Sequence, residues 1–243
     1  MLTSSATAEV ALVFGGSGAV GHAVVRALTD AGLRVYFTYH RSTERAAVLA
    51  AECAGSVAVQ LDLRQPEDIG ALFERLRTEG VLPRLFVHCA AVSQPLKLNE
   101  ITAGHWDEVI AVCCRSVLLA CQQLSSRFAQ RGGGEVVLIG ALDRGQSLPL
   151  PVHFAGAQGM LGSMTMALAK ELGPLGVRVN LVAVGPLTTG LSQQLPVQAL
   201  QDFKSFSALR RLGTAEEVAR AVAWLAQHNT FMTGRVLPVN GGI

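Results

Sequence analysis

The sequence predicts an α/β fold: a doubly wound parallel β-sheet with helices on both faces, built as a single domain. Three observations predict it. Short apolar runs alternate with longer amphipathic ones along the chain, the pattern of strands buried on both faces and of helices that cover them. Half of the 243 residues are hydrophobic and only 16% are charged, so a sizeable core is available. No internal repeat, low-complexity tract or long linker divides residues 1–243.

Val10 to Phe14 reads as the first strand, and Val20 to Ala31 as a helix stopped by Gly32. Leu33 to Thr38 is the second strand. Ser42 stands where a cap is needed for a helix ending near Cys53, and Val57 to Leu61 follows as a strand. Pro66 suits a first helical turn, because its fixed φ fits there and its missing N–H has no intrahelical partner to lose. That helix runs to Glu79, and Leu85 to Cys89 is the fourth strand. One long helix is expected from Trp106 to Arg131, with more apolar positions than a single sheet contact needs, among them Val117, Leu118, Leu119 and Leu124. Gly132-Gly133-Gly134 ends it before the strand Val136 to Ile139. Phe154 to Leu172 is a helix, Val177 to Val182 a strand, Thr214 to Gln227 a helix, and Val236 to Val239 the last strand. The polar stretch 190–211, carrying Pro196, lies past the sixth strand, at the edge where open α/β sheets bind ligands. It reads as a mobile cover or as an ordinary surface excursion.

Bulk properties exclude several function classes. A formal net charge of +2 implies no strong attraction to nucleic acid or to a membrane surface. No apolar run approaches the roughly 18 residues that a membrane helix needs. Met1 to Glu9 lacks the charged-then-apolar pattern of a secretory signal, so a cytoplasmic protein is expected. The five cysteines, Cys53, Cys89, Cys113, Cys114 and Cys121, form no CxxC pair, which argues against both a disulfide framework and a zinc site.

The first half, about 8–90, carries a nucleotide signal. Gly15, Ser17, Gly18, Val20 and Gly21 lie in a turn that follows a strand and opens a helix, the context of a Rossmann-type dinucleotide site. Glycines there permit a tight turn and let the backbone approach a pyrophosphate at the positive helix end. The second strand ends in His40, Arg41 and Ser42, with no acid until Glu44. An acidic residue at that point would grip the ribose of NAD, whereas Arg41 and Ser42 suit a 2′-phosphate, so NADP(H) is the expected cofactor. Asp62 is placed to accept from the adenine amino group, and Leu63, Ala90 and Thr189 complete the expected cofactor contacts.

With these motifs in view, the chain resembles the short-chain dehydrogenase/reductase family and, within it, the 3-oxoacyl-acyl-carrier-protein reductases. The resemblance spans the chain: Gly15 to Gly21, Asp62-Leu63, Val177-Arg178-Val179-Asn180, Arg211-Leu212-Gly213, and Thr233-Gly234 through Val239-Asn240-Gly241-Gly242. His40-Arg41-Ser42 is similar to the NADP-selecting turn of pteridine reductases. The resemblance implies a catalytic asparagine, serine, tyrosine and lysine, but the matching positions hold Cys113, Ala141, Phe154 and Gln158. His88-Cys89-Ala90-Ala91 likewise stands in place of Asn-Asn-Ala-Gly. Phe154 has no hydroxyl to move a proton, and Gln158 has no charge to favour a phenolate. Ala141 cannot donate to an oxyanion, and the Cys113 thiol is a poor stand-in for an amide. The standard mechanism is therefore not available.

His153 is a possible substitute donor, although neighbours on a helix point about 100° apart. His88, Asp143, Arg144 and Ser147 lie on segments near the expected mouth. The second half, about 91–243, would hold an acyl or polyketide-like carbonyl substrate, small or carrier-bound, with Arg127 and Arg131 as possible attractants for an acidic carrier. Three functions compete: an atypical NADPH-dependent reductase, a catalytically inactive subunit partnering an active homologue in a hetero-oligomer, and a non-redox cyclase or isomerase. A homo- or hetero-oligomer is expected in each case, because the resemblance implies assembly through the long helices and the C-terminal segment.

Overall fold

In the computed structural model, which describes residues 9–141 and 149–243, the apolar runs become seven strands of one parallel sheet. They are β1 (Val10–Phe14), β2 (Arg34–Tyr39), β3 (Val57–Gln60), β4 (Leu85–His88), β5 (Gly134–Gly140), β6 (Val177–Val184) and β7 (Arg235–Val239). Their spatial order is β3-β2-β1-β4-β5-β6-β7, so the winding reverses between β1 and β4. A crevice opens there beyond the carboxyl ends of the strands, which is where ligands enter such sheets.

Strand side chains point alternately to opposite faces, and β1 shows what this does to the core. Leu12 and Phe14 join one fully buried cluster, while Ala11 and Val13 join another on the opposite face. The helices α1 (Ala19–Asp30), α2 (Thr43–Glu52) and α8 (Ala215–His228) cover the Ala11 face. The other face is covered by α3 (Pro66–Thr78), α4 (Ala103–Ile110), α5 (Ser116–Arg131) and α6 (Val152–Leu172). β7 carries Pro238, which cannot donate to a sheet ladder and is tolerated because β7 is an edge strand.

Local chemistry sets several helix ends. Pro66 occupies the first turn of α3, with Glu67 and Asp68 beside it and Arg75 and Arg77 in the last turn, complementing the helix dipole. Thr214 and Glu217 form a capping box on α8, whose Thr214 Oγ1 accepts from the Glu217 N–H at 3.3 Å. Gly132, at φ 75°, closes α5 in the left-handed conformation that glycine adopts without strain. Ser42 precedes α2 but makes no side-chain cap bond, contrary to expectation, which leaves its hydroxyl free.

The single helix expected over Trp106–Arg131 begins earlier and is interrupted. Between α4 and α5 the residues Ala111–Arg115 form one π turn, holding Cys113 and Cys114 in the core. A π turn inserts one residue without altering the apolar composition, so hydrophobic periodicity does not reveal it. The whole segment, Ala103–Arg131, is 29 residues long and by length and composition alone passes as a membrane span, against expectation. Half of its most apolar window is buried against the rest of the chain, as in a core helix. Val117 and Leu124 belong to that core, Leu119 packs at its margin, and Leu118 is left exposed.

Beyond β6, Leu187 bridges to Gly213, and Thr188 N–H donates to Gly213 O at 3.0 Å. From this anchored base the chain makes a short 3₁₀ turn, Gly190–Gln194, and then α7 (Val197–Phe206).

Candidate active site

Two neighbouring pockets lie at the crevice between β1 and β4. The smaller, about 350 Å³, runs from the glycine turn to the ends of β2 and β3. The larger, about 1420 Å³, extends from the start of α1 past α6 to the segment beyond β6.

Close packing shapes the turn between β1 and α1. Gly15 has φ 78°, and a Cβ there would lie 2.7 Å from the Ala90 Cα. A Cβ on Gly21 would fall 2.1 Å from Gly15 O, so neither position admits a side chain without moving backbone. Thr38 steadies the turn, its Oγ1 accepting from Gly15 N–H at 3.1 Å and its carbonyl from Gly16 N–H at 2.8 Å. No side chain caps α1, so its first N–H groups are left for an anion. Gly15, Ser17 and Gly18 line the smaller pocket and Val20 the larger. Gly21 lines neither; it is a packing glycine beneath the turn.

His40, Arg41, Ser42, Asp62, Leu63 and Ala90 all line the smaller pocket, so the structure brings that predicted set together. Arg41 is exposed and has no ion-pair partner among the described residues. Asp62 is less free than the sequence suggested. Arg64 donates to it through Nε at 2.9 Å and Nη2 at 2.7 Å, and His40 Nε2 lies 3.4 Å away. The Arg64 bonds hold the Asp62 carboxyl down to about 2. An adenine amino group would therefore be a further partner on oxygens already bonded.

Ala141, Phe154, Gln158 and Thr189 line the larger cavity, together with the apolar side chains of Leu150, Leu191, Leu195 and Phe203. Gln158 is buried and turns its Oε1 onto the Ala141 N–H at 2.9 Å. Cys113 is buried and faces neither pocket, and burial pushes its thiol up to about 11. Burial therefore disfavours the thiolate that a nucleophile needs.

His153 does not answer to the role of substitute donor. It is fully buried, its Nε2 is 3.0 Å from Gln94 Oε1, and it is not part of the cavity wall. The physical reason is helix geometry: with Phe154 facing the cavity, its neighbour points away. Burial, and then the nearby His105, lower its pKa. His88 is also sealed in, its Nε2 paired with Ser116 Oγ at 2.8 Å, and burial lowers its pKa to about 4. Asp143, Arg144 and Ser147 lie outside the described residues.

Arg127 and Arg131 sit far from the cavity mouth. Arg127 donates to Phe73 O at 2.9 Å, and Arg131 donates to Leu82 O and lies near Glu9 beside the start of β1, at the amino edge of the sheet. Sequence reasoning missed Arg64, Glu108 and Gln94, which join across this site. The spacing of Arg64 two residues after Asp62 was the one local hint.

Comparison with known proteins agrees in coverage and fold. The family described as enoyl-(acyl carrier protein) reductase matches residues 16–243. An acetoacetyl-CoA reductase of Allochromatium vinosum is 29% identical, covering 97% of this chain and 98% of that protein. A 3-oxoacyl-[acyl-carrier-protein] reductase FabG of Aquifex aeolicus is 29% identical over 97% of each. A cyclic-di-GMP-binding biofilm dispersal mediator protein of Escherichia coli is 30% identical over 97% of each. Among solved structures, a short-chain dehydrogenase/reductase from Serratia marcescens superposes with a TM-score of 0.85 at 27% identity, covering 96% of this chain and 97% of that one.

Proposed function

The chain belongs to the short-chain dehydrogenase/reductase family, and from that premise we propose that it binds NADP(H) and works as an atypical reductase of ketoreductase lineage. One observation carries the reading. A large, mostly apolar cavity adjoins the glycine turn, and its wall holds Ala141, Phe154 and Gln158, with no acid among its described residues. A subunit with no substrate would have little need of such a cavity.

The residues present fit the dinucleotide. Gly15 and Gly21 let the turn close tightly against Ala90 and against itself, and the uncapped start of α1 would meet the pyrophosphate. The guanidinium of Arg41 and the uncommitted hydroxyl of Ser42 suit the 2′-phosphate. When bound, NADPH supplies a hydride. What the chain adds is orientation: Phe154 presents a hydrocarbon face, and the Gln158 carboxamide is held against the Ala141 backbone. A simple ketone needs a proton at its oxygen, a service worth roughly 10²–10⁴ in rate, and Ala141, Phe154 and Gln158 do not provide it. A conjugated carbonyl spreads the arriving charge and depends more on being held in place. The substrate in this reading is a conjugated or otherwise polarised acyl or polyketide-like carbonyl compound, with its final proton drawn from water. A cytoplasmic location accompanies the reading.

The Gln158–Ala141 bond also favours a second reading, in which the site is retired and the chain is the non-catalytic partner of an active relative. NADPH oxidation separates the two. The purified protein is expected to turn over conjugated enoyl or quinone-like acceptors and to leave acetoacetyl-CoA almost untouched. Rapid reduction of acetoacetyl-CoA, with deuteride delivered from labelled NADPH, would refute this account of the cavity wall. Tight NADPH binding with no transfer to any acceptor would favour the second reading.

A further inference from the structure

A continuous line of polar side chains runs from the nucleotide pocket to the helix that lines the cavity. Arg64, bound to Asp62, also donates through Nη1 to Glu108 Oε1 at 3.2 Å. Glu108, on α4, accepts at its other oxygen from Gln94 Nε2 at 2.8 Å. The Gln94 Oε1 then accepts from His153 Nε2 at 3.0 Å, and His153 sits in the first turn of α6, next to Phe154. Gln94 thus bonds at both ends of its carboxamide. It belongs to the stretch 91–97, of which Ser93, Pro95, Leu96 and Lys97 line the large cavity. Arg64 and Glu108 line the small pocket, whereas Gln94 and His153 line neither.

The geometry points to Arg64, Glu108 and Gln94 as positioning residues that couple occupancy of the nucleotide-base pocket to the loop over the substrate cavity. The coupling rests on the reading that the adenosine end enters the smaller pocket. Its physical basis is screening. The Arg64 and Glu108 side chains are 33% and 32% exposed, so water weakens their ion pair while the pocket is open. A base laid over them excludes that water and strengthens the pair. A firmer Glu108 holds Gln94 more tightly, and Gln94 holds both the loop and the start of α6. The far end of the line is fixed already, because His153 is fully buried.

Hydrogen exchange on the full chain, with 2′,5′-ADP as the probe, tests this. In the ligand-free protein, Arg64→Ala should speed exchange of the 91–97 amides about tenfold, although the Arg64 side chain bonds to Asp62 and Glu108 and not to that stretch. Glu108→Gln gives the same reading if Arg64→Ala folds poorly, since it keeps the shape but removes the charge. In the native protein 2′,5′-ADP should protect both the 15–21 amides and the 91–97 amides. In Gln94→Leu it should still protect 15–21 and no longer protect 91–97. Native-like exchange over 91–97 in the ligand-free Arg64 and Glu108 variants would overturn the coupling. So would undiminished loop protection in Gln94→Leu. Failure of 2′,5′-ADP to protect 15–21 in the native protein would instead strike the NADP(H) reading, and the ligand-free arm would then decide the coupling alone.

Discussion

At the scale of single residues, the nucleotide end was more legible than the cavity end. Arg41 and Ser42 line the small pocket, as expected, because strand, turn and helix start are adjacent in the chain, and the lack of an acid there is visible by inspection. The cavity wall is assembled from distant segments, and which side of α6 faces it depends on a rotation that sequence order does not express. His153 illustrates the gap, being next to Phe154 in sequence yet sealed against Gln94 in space. Arg64 and Glu108, 44 residues apart, illustrate it again. The prediction at this scale concerns Arg41. Its guanidinium is the exposed cation beside the small pocket, and a charge-assisted bond to phosphate is worth roughly 1.5–3 kcal/mol. Calorimetric titration should find NADPH bound more tightly than NADH, and Arg41→Ala should remove most of that preference. Equal affinities in the native protein would contradict the assignment.

At the scale of elements, alternation of apolar runs located every strand of the sheet to within a few residues, because strands buried on both faces leave a continuous hydrophobic trace. The π turn at Ala111–Arg115 left no such trace. Neither did the buried acid at the amino end of β5. Glu135 accepts from Arg178 at 2.7 Å and from Asn229 at 2.9 Å, tying β5 to β6 and to the turn after α8. Burial nevertheless pushes its carboxyl up to about 7 from the ordinary 4.5. Arg178 reaches solvent, so the acid can be neutral without stranding a buried cation. In the unfolded chain the proton leaves near 4.5, whereas in the folded chain it stays on to about 7. The stability contributed by Glu135 is therefore full below the lower value and lost as pH rises through the upper one. Melting temperatures taken from about pH 5 to about pH 8 should fall more steeply for the native protein than for Glu135→Gln, whose amide stays neutral throughout. Parallel pH profiles for the two would remove Glu135 as the cause.

At the scale of the whole molecule, one domain with one sheet was legible from composition and alternation, while the outer surface was not. Leu118 on α5, Trp106 on α4, and Val152 and Met160 on α6 are all exposed apolar side chains on neighbouring helices. Exposed apolar side chains of this size are costly in water when another surface does not cover them. Light scattering at micromolar concentration should report a dimer or tetramer, and aspartate at Leu118 and Met160 together should lower that mass without unfolding the chain. A native monomer, unchanged by a co-expressed homologue, would count against assembly. The strand order has one further consequence, for biosynthesis. β1 lies between β2 and β4, yet β4 leaves the ribosome last of the three, about 70 residues after β1, which at ~5–20 residues per second is roughly 4–14 s. Throughout that interval one side of β1 offers unpaired backbone groups between wholly apolar side chains, in a nascent chain crowded among its own siblings on a polysome. Slower translation over that stretch would lengthen the exposure, so the pace of synthesis, as well as the finished fold, bears on how much protein survives to fold.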